Sequence, residues 1–523
     1  MMAEKDYAEP NFVTKYQPGD DARVELRNGR FFDVVNGCYF EPGVSVIVEG
    51  GKIKCMPGLP GEPRDIVPDF TLDLQGKTVL PSLFNTHCHV TLAMPSLLPD
   101  IQTIRLSKRY GEQQIAKTMT ECLAHGITNI RDAWEDDLRP SRSLREKISR
   151  KEIPGPRILQ AVVVTQPDGY FSQKATLTLR LMRYVLGTQP VNYELDYSGV
   201  VVFPTDANER QVRDAVDRAI DERGADLIKI GEQRENMTNF KPDATIMTLK
   251  QMEALTDQAR RRGVRTTMHH VSAESFRRGV QSGVSSLAHI PARGRLTQAD
   301  IDAFKAAGCI NEPTLSVSYD LCWKVKGDPQ YEHPDMDRVT EFRDKVWAAL
   351  AYEYWISELK GCVINTHERF SSGRLKVMGI IDTSIMYRYY SQTISHGVEN
   401  FRMLFEQGAS MACGNDGGIP PCTPAMVGHE LGMFDLFLNT AADGKQLSGA
   451  DAVRIATINS ARTMGLEKSF GSIETGKTSD LAIVDGDPLE DLHVLGSRVA
   501  ALFMDGRLII NNCGLRLEPV RKA

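Results

Sequence analysis

The sequence predicts an α/β fold: a (β/α)8 TIM-like barrel with a small β-sandwich formed from both chain ends. One observation is a recurring unit between about Pro81 and Leu466, in which an amphipathic helix, a glycine, a buried apolar strand and a polar strand-end residue follow one another. A second is texture: both ends of the chain show short alternating runs separated by Asn-Gly, Gly-Gly or Asp-Gly turns, which is hairpin chemistry. The third is negative. An open doubly wound sheet is the runner-up, yet no G-x-G-x-x-G stretch supports dinucleotide binding.

Residues 1–21 read as a polar N-terminal segment without the apolar core or cleavage site of a secretory signal. Residues 22–80 supply the first part of the sandwich, in ARVELRNGRFFDVV, GVSVIVEGGKIKCMPG and TLDLQGKTVLP. Residues 81–466 form the barrel. TECLAHG leads to ITNIRDA, DANERQVRDAVDRAIDERG to ADLIKI, and LKQMEALTDQARRRG to VRTTMHH. AESFRRGVQSG then leads to VSSLAHI, AFKAAG to CINEPTLS, and VENFRMLFEQG to ASMACGNDGG. An insertion around 315–398 holds the aromatic runs YDLCWKV, DKVWAALAYEYW and IMYRYYSQ, which read as core or oligomer-interface packing in preference to a ligand cage. Residues 467–523 return to the sandwich with SDLAIVDGD and VAALFMDGRLII.

Composition narrows the function. With 62 basic against 68 acidic residues, a net charge of −6 and no long run of either sign, nucleic acid and anionic membranes are poor partners. No stretch approaches the roughly 20 apolar residues that span a bilayer. Ten cysteines without a C-x-x-C pair are expected to be scattered reduced thiols of a cytoplasmic protein.

The chemistry gathers at the strand ends, the reactive face of such a barrel. In GADLIKI, Lys229 sits among Leu227, Ile228 and Ile230, where an unpaired ammonium is costly. In PSLFNTHCHV, His87 and His89 are two apart and share one side of an extended segment, so Cys88 points away. His269, His289 and Asp416 close three further strands. Imidazoles with a carboxylate suit zinc and its neighbours.

These residues carry a resemblance to the amidohydrolase superfamily, in its imidazolonepropionase-like and Xaa-Pro dipeptidase-like branch, which includes ochratoxinase. LDLQGKTVLPSLFNTHCH resembles that family's D-x-x-G-K-T-V-x-P-G-L-I-D-x-H-x-H. LAHGITNIRDAW resembles its G-x-T-x-x-R-D strand, and IPGPRIL follows as in the family. HHVSAESFRRGVQSGVSSLAHI resembles its pair of ligand histidines twenty apart, and ADAVRIATINSARTMGLEKSFGSIETGKTSDLAIVDGDPLEDL its C-terminal closure. Three neighbours of the ligands depart from the pattern: Asn85 stands for a usual acid, SLAH for Ser-Ile-Glu-His, and GND for Gly-Thr-Asp. Unusual tuning of the ligands by their surroundings is therefore expected.

The resemblance implies two divalent metal ions, zinc foremost. His87 and His89 would bind the first, His269 and His289 the second, with a CO2-derived carbamate on Lys229 as bridge. Asp416 would complete the first site and carry the catalytic proton. The implied reaction is hydrolysis of an amide, peptide-like or cyclic amide C–N bond in a small-molecule substrate by a hydroxide shared between the metals. Lactone or phosphotriester hydrolysis on the same centre is an alternative, as is a mononuclear hydrolase or deaminase with an unmodified Lys229. A non-catalytic scaffold would be expected to have lost ligands, and all six are present.

Tyr170, after the third strand, His270 at the mouth and His367 in the insertion are candidate substrate contacts. For each, packing or a surface position is the plainer expectation, since His270 must face opposite to His269 on a strand. His125 reads as a helix-end residue, and His396 as a surface one. A homo-oligomer is expected.

Overall fold

The computed structural model describes residues 10–13, 18–19, 21–63, 65–93, 95–96, 100–172, 195–235, 242–320, 334–372, 374, 376–377, 381–382, 394–419, 422–439 and 444–520. Seven parallel strands run in chain order around a barrel: β1 (Leu83–Cys88), β2 (Ile127–Asp132), β3 (Arg157–Thr165), β4 (Leu227–Glu232), β5 (Arg265–His270), β6 (Ser286–Ala288) and β7 (Ile310–Glu312). Segment 409–417 lies between the last and the first. Parallel bridges join Asn311 to Met411 and Cys88 to Gly417, so the ring closes through it. The short strand Val200–Val202 pairs with the upper part of β3, whose lower part pairs with β2.

The unit between β3 and β4 shows how the sequence builds the ring. Asn208 caps helix Glu209–Asp221 by accepting the Gln211 N–H, and the Gln211 side chain returns the bond. Such a cap contributes about 1 kcal/mol, so Asn208→Ala would fray the helix start. Val212, Ala215, Val216 and Ala219 recur at helical spacing and form its buried face. Gly224, at φ +62°, ends the turn, and the Asp226 N–H bonds to the Gln160 carbonyl of β3, which sets the register of β4.

Two further sheets form the satellite sandwich. One has the order Leu517–Pro519, Phe70–Asp73, Val24–Arg27, Val46–Glu49, Lys52–Cys55; the other Arg507–Asn511, Ala501–Met504, Leu481–Val484, Thr78–Pro81, Arg30–Asp33, Cys38–Tyr39. Thr78–Pro81 pairs antiparallel with Leu481–Val484, so residues from both parts of the chain share a sheet. Leu26, Phe31, Val46, Ile53, Leu72, Val79, Ile483 and Phe503 pack between the sheets, separately from the barrel core. Only Ser82 separates the sandwich strand Thr78–Pro81 from β1. The sandwich therefore anchors the strand that carries the first two histidines.

After β7 come helices Leu315–Asp320, Pro334–Glu353 and Ser357–Ser371. Gln114 of helix Ile101–Ala124 donates to the Tyr354 carbonyl at 2.8 Å and accepts the Ile356 N–H at 2.9 Å, tying this region to the barrel wall. Tyr354 and Trp355 are buried there, whereas 321–325 and 385–392, the other aromatic runs, lie outside the described residues. The nine described cysteines are free thiols, and among the described residues no helix is long and apolar enough to cross a membrane.

Candidate metal centre

His87, His89, Lys229, His269, His289 and Asp416 are all buried. The histidines and Asp416 lie at or just beyond strand ends, whereas Lys229, expected to close its strand, is the third of six residues in β4, which runs on to Glu232. His87 lies at the core of the group. Its Nε2 is 3.4 Å from Lys229 Nζ and 3.4 Å from Asp416 Oδ1, and its ring centroid is 5.1 Å from that of His289. His89 Nε2 approaches Asp416 Oδ1 at 3.0 Å, and the His269 and His289 rings lie 4.5 Å apart. Ligand atoms of His87, His289 and Asp416 all fall within 4.8 Å of one another.

The backbone is shaped for this. His289 and Asp416 adopt φ +74° and +53°, and Thr314, which holds His289, adopts +47°. Left-handed conformations cost non-glycine residues of order 1–3 kcal/mol and concentrate at functional sites. Gly414 permits the closing segment to reach β1: a Cβ there would lie 2.7 Å from the His87 Cβ and 2.8 Å from its amide nitrogen.

Asn85 accounts for one departure from the family pattern. Its Nδ2 donates to Asn415 Oδ1 at 2.7 Å and to the Pro424 carbonyl at 2.8 Å, while Asn415 Oδ1 also accepts the Gly417 N–H at 2.9 Å. The two asparagines of PSLFN and GND thus clamp each other and fix the backbone beside His87 and Asp416. An ionised acid at 85 could donate neither bond.

Electrostatics follow from burial. Burial, reinforced by Arg131, brings the Lys229 ammonium down from 10.5 to about 7. His87, His269 and His289 are pushed well below the ordinary imidazole range, chiefly by burial and then by neighbouring cations, so they present neutral rings. For Asp416 burial opposes the charge, but His89, His289 and Lys229 hold the carboxyl below its ordinary value. Asp416 Oδ1 is buried at the junction of these groups and, among the described residues, meets no donor in hydrogen-bond alignment. Against burial, Asp416 in turn raises the pKa of His89, and a buried carboxylate oxygen with imidazole nitrogens at 3.0 and 3.4 Å is a nitrogen and oxygen donor set that suits zinc.

Residues that sequence reasoning did not single out hold the ligands from behind. His89 Nδ1 bonds the Trp134 carbonyl at 2.7 Å, His289 Nδ1 the Thr314 hydroxyl at 2.6 Å, and His269 Nε2 the Gln233 amide oxygen at 2.6 Å. Behind His87, Nδ1 faces Glu312 Oε2 at 3.8 Å, and Glu312 is ion-paired to Arg131.

The candidate substrate contacts separate. Tyr170 stacks on His269 with ring centroids 4.3 Å apart and meets Phe171 edge-on at 4.9 Å; Phe171 in turn lies 5.1 Å from Trp134. These rings form an aromatic wall beside the histidines. His270 is fully buried, bonds the Ala288 carbonyl at 2.7 Å and lies against Phe276. His367 lies on helix Ser357–Ser371 and contacts Asp344 at 3.2 Å. His125 caps helix Ile101–Ala124 and stacks on Tyr354, and Cys88 Sγ turns away to donate to the Arg131 carbonyl at 3.3 Å.

The chain is 32% identical over 92 residues to a 5-methylthioadenosine/S-adenosylhomocysteine deaminase of Moorella thermoacetica, a match covering 18% of this chain and 22% of that protein. The matched region is thus about a fifth of the relative's length. A Xaa-Pro dipeptidase structure with methionine in its active site superimposes with TM-score 0.63 at 20% identity, over 94% of this chain and 100% of that one. Ochratoxinase of A. niger gives TM-score 0.61 at 15% identity, over 94% and 96%. At such identities the structural likeness speaks for the fold. The Amidohydrolase family profile matches residues 78–509, from the last sandwich strand before the barrel to the sandwich strands after it, and the chain belongs to that family.

Proposed function

We propose that this protein is a binuclear metal-dependent hydrolase of C–N bonds, acting on an amide, peptide-like or cyclic amide small molecule. The observation that carries the reading is Lys229, buried in the barrel with its Nζ 3.4 Å from His87 Nε2 and its pKa near 7. A lysine in that state offers the neutral amine that reaction with CO2 requires. On this reading His87, His89 and Asp416 would hold one ion and His269 and His289 the other, and a carbamate on Lys229 would supply further oxygen ligands. Zinc suits the donors. When bound, the ions supply Lewis acidity and water of lowered pKa at neutral pH.

The chain's own groups do the rest. Asp416, kept ionised by His89, accepts the proton of the attacking water and passes it to the leaving nitrogen. Burial of the three neutral imidazoles keeps bulk water from competing for the donors. Tyr170, stacked on His269, gives a flat surface for substrate at the mouth.

A second reading, a mononuclear hydrolase or deaminase, is favoured by one observation. Among the described residues, the ligand atoms of His87, His289 and Asp416 come together within 4.8 Å of one another, and this trio draws on both metal sites of the first reading. Elemental analysis of protein grown with metal and bicarbonate separates them. About two ions per chain, with hydrolysis of N-acyl amino acids or amides in a substrate panel, supports the bridged site. One ion, with ammonia released from an aminated ring, supports the second.

A further inference from the structure

Three of the four histidines have their outward nitrogen bonded to a neutral oxygen: a peptide carbonyl, a hydroxyl and an amide. His87 differs. Its Nδ1 is buried without a hydrogen-bond partner among the described residues and faces a carboxylate, Glu312 Oε2, across 3.8 Å. Glu312 is fully buried, as is Arg131, with which it forms an ion pair across the barrel from β7 to β2. Arg131 also donates to Thr267 of β5 at 3.4 Å. The main-chain carbonyl of Glu312 accepts the His289 N–H at 2.7 Å, so one residue supports a histidine through its side chain and another through its backbone.

A buried ion pair is a poor stabilising device, because desolvation cancels much of its attraction. Its place under the centre suggests another use. A ring that must present one nitrogen's lone pair to a cation has its tautomer set by what the other nitrogen meets. We propose that Glu312, locked in place by Arg131, is a positioning residue for His87, holding the imidazole as the Nδ1–H tautomer so that the Nε2 lone pair faces Lys229 and Asp416. The assignment rests on the reading of His87 as a ligand. It predicts that the His87 side of the centre is built before any cation arrives.

The test reads the tautomer first. Metal-free protein labelled with 15N-histidine is compared with Arg131→Met/Glu312→Leu, which removes both charges together, and with Arg131→Met/Glu312→Gln, which restores an uncharged acceptor. In the wild type, His87 shows a protonated Nδ1 and an unprotonated Nε2. The Leu variant loses that signature and binds Co2+, measured by chelator competition, about 10–100-fold more weakly. The Gln variant recovers both to within a few-fold. A wild-type His87 protonated at Nε2 overturns the proposal, even if neither variant folds. So does a folded Leu variant with wild-type Co2+ affinity. A wild type that shows the Nδ1–H signature yet takes up no Co2+ supports the positioning role and sinks the metal reading instead.

Discussion

Replacing Lys229 by Met should make the metal-free protein more stable. The lysine has a pKa of 10.5 when solvated and about 7 when folded, so between those values the unfolded chain binds a proton that the folded chain refuses. Stability of the wild type therefore rises with pH across that window and is flat below it. The burden of the lysine is about 4 kcal/mol at pH 7, about 3 at pH 8 and about 2 at pH 9, taking 1.36 kcal/mol per pKa unit. Methionine removes the charge at similar length, with up to about 1.5 kcal/mol lost to imperfect packing. Urea unfolding in CO2-free buffer should then place the variant ahead by a few kcal/mol at pH 7, with the advantage shrinking toward pH 10. Added metal and bicarbonate together should narrow or reverse the difference, since only the wild type can form the carbamate ligand and so gains more from ligation. A variant no more stable than wild type at pH 7, with a pH-independent difference, would refute a buried lysine poised near neutrality.

Asp416→Asn should lower kcat for the best substrate by about 10²–10⁴-fold, because an amide cannot shuttle the proton; steady-state kinetics on metal-loaded protein measures it. Gly414→Ala drives a methyl into His87. It should cost about 1–3 kcal/mol in unfolding experiments and lower metal content by elemental analysis. Asn85→Asp, which restores the family's usual acid, should destabilise by about 1–3 kcal/mol, since two acceptors, Asn415 Oδ1 and the Pro424 carbonyl, lose their donor. Unchanged thermal stability in that variant would sink the asparagine clamp.

What the sequence revealed was whatever periodicity and cost made visible. His87 and His89 are two apart on a strand, and a lysine among isoleucines is expensive, so each announces itself. The recurring helix–glycine–strand unit did the same for the barrel. The partners behind the ligands left no such trace. Arg131 and Glu312 are 181 residues apart, and each reads as an ordinary charged strand-end residue until closure of the ring brings them together. Gln233 and Thr314 are polar loop residues of the commonest kind, and only their aim at His269 and His289 sets them apart. Val200–Val202 is three residues long, too short for alternation to register. The asparagine clamp was visible only as two departures from a pattern, because its meaning lies in a pairing across the ring.

The pairing of Thr78–Pro81 with Leu481–Val484 sets a timetable for synthesis. A strand emerging early from the ribosome must wait for a partner made about 400 residues later, which at 5–20 residues per second is roughly 20–80 s. Throughout that interval an apolar edge stands open to any other nascent strand. The barrel's first strand hangs from that unfinished edge, so the histidines of β1 gain their anchor late. Conditions that slow translation, or that withdraw chaperones able to cover the edge, should lower the yield of soluble protein before they alter the finished molecule.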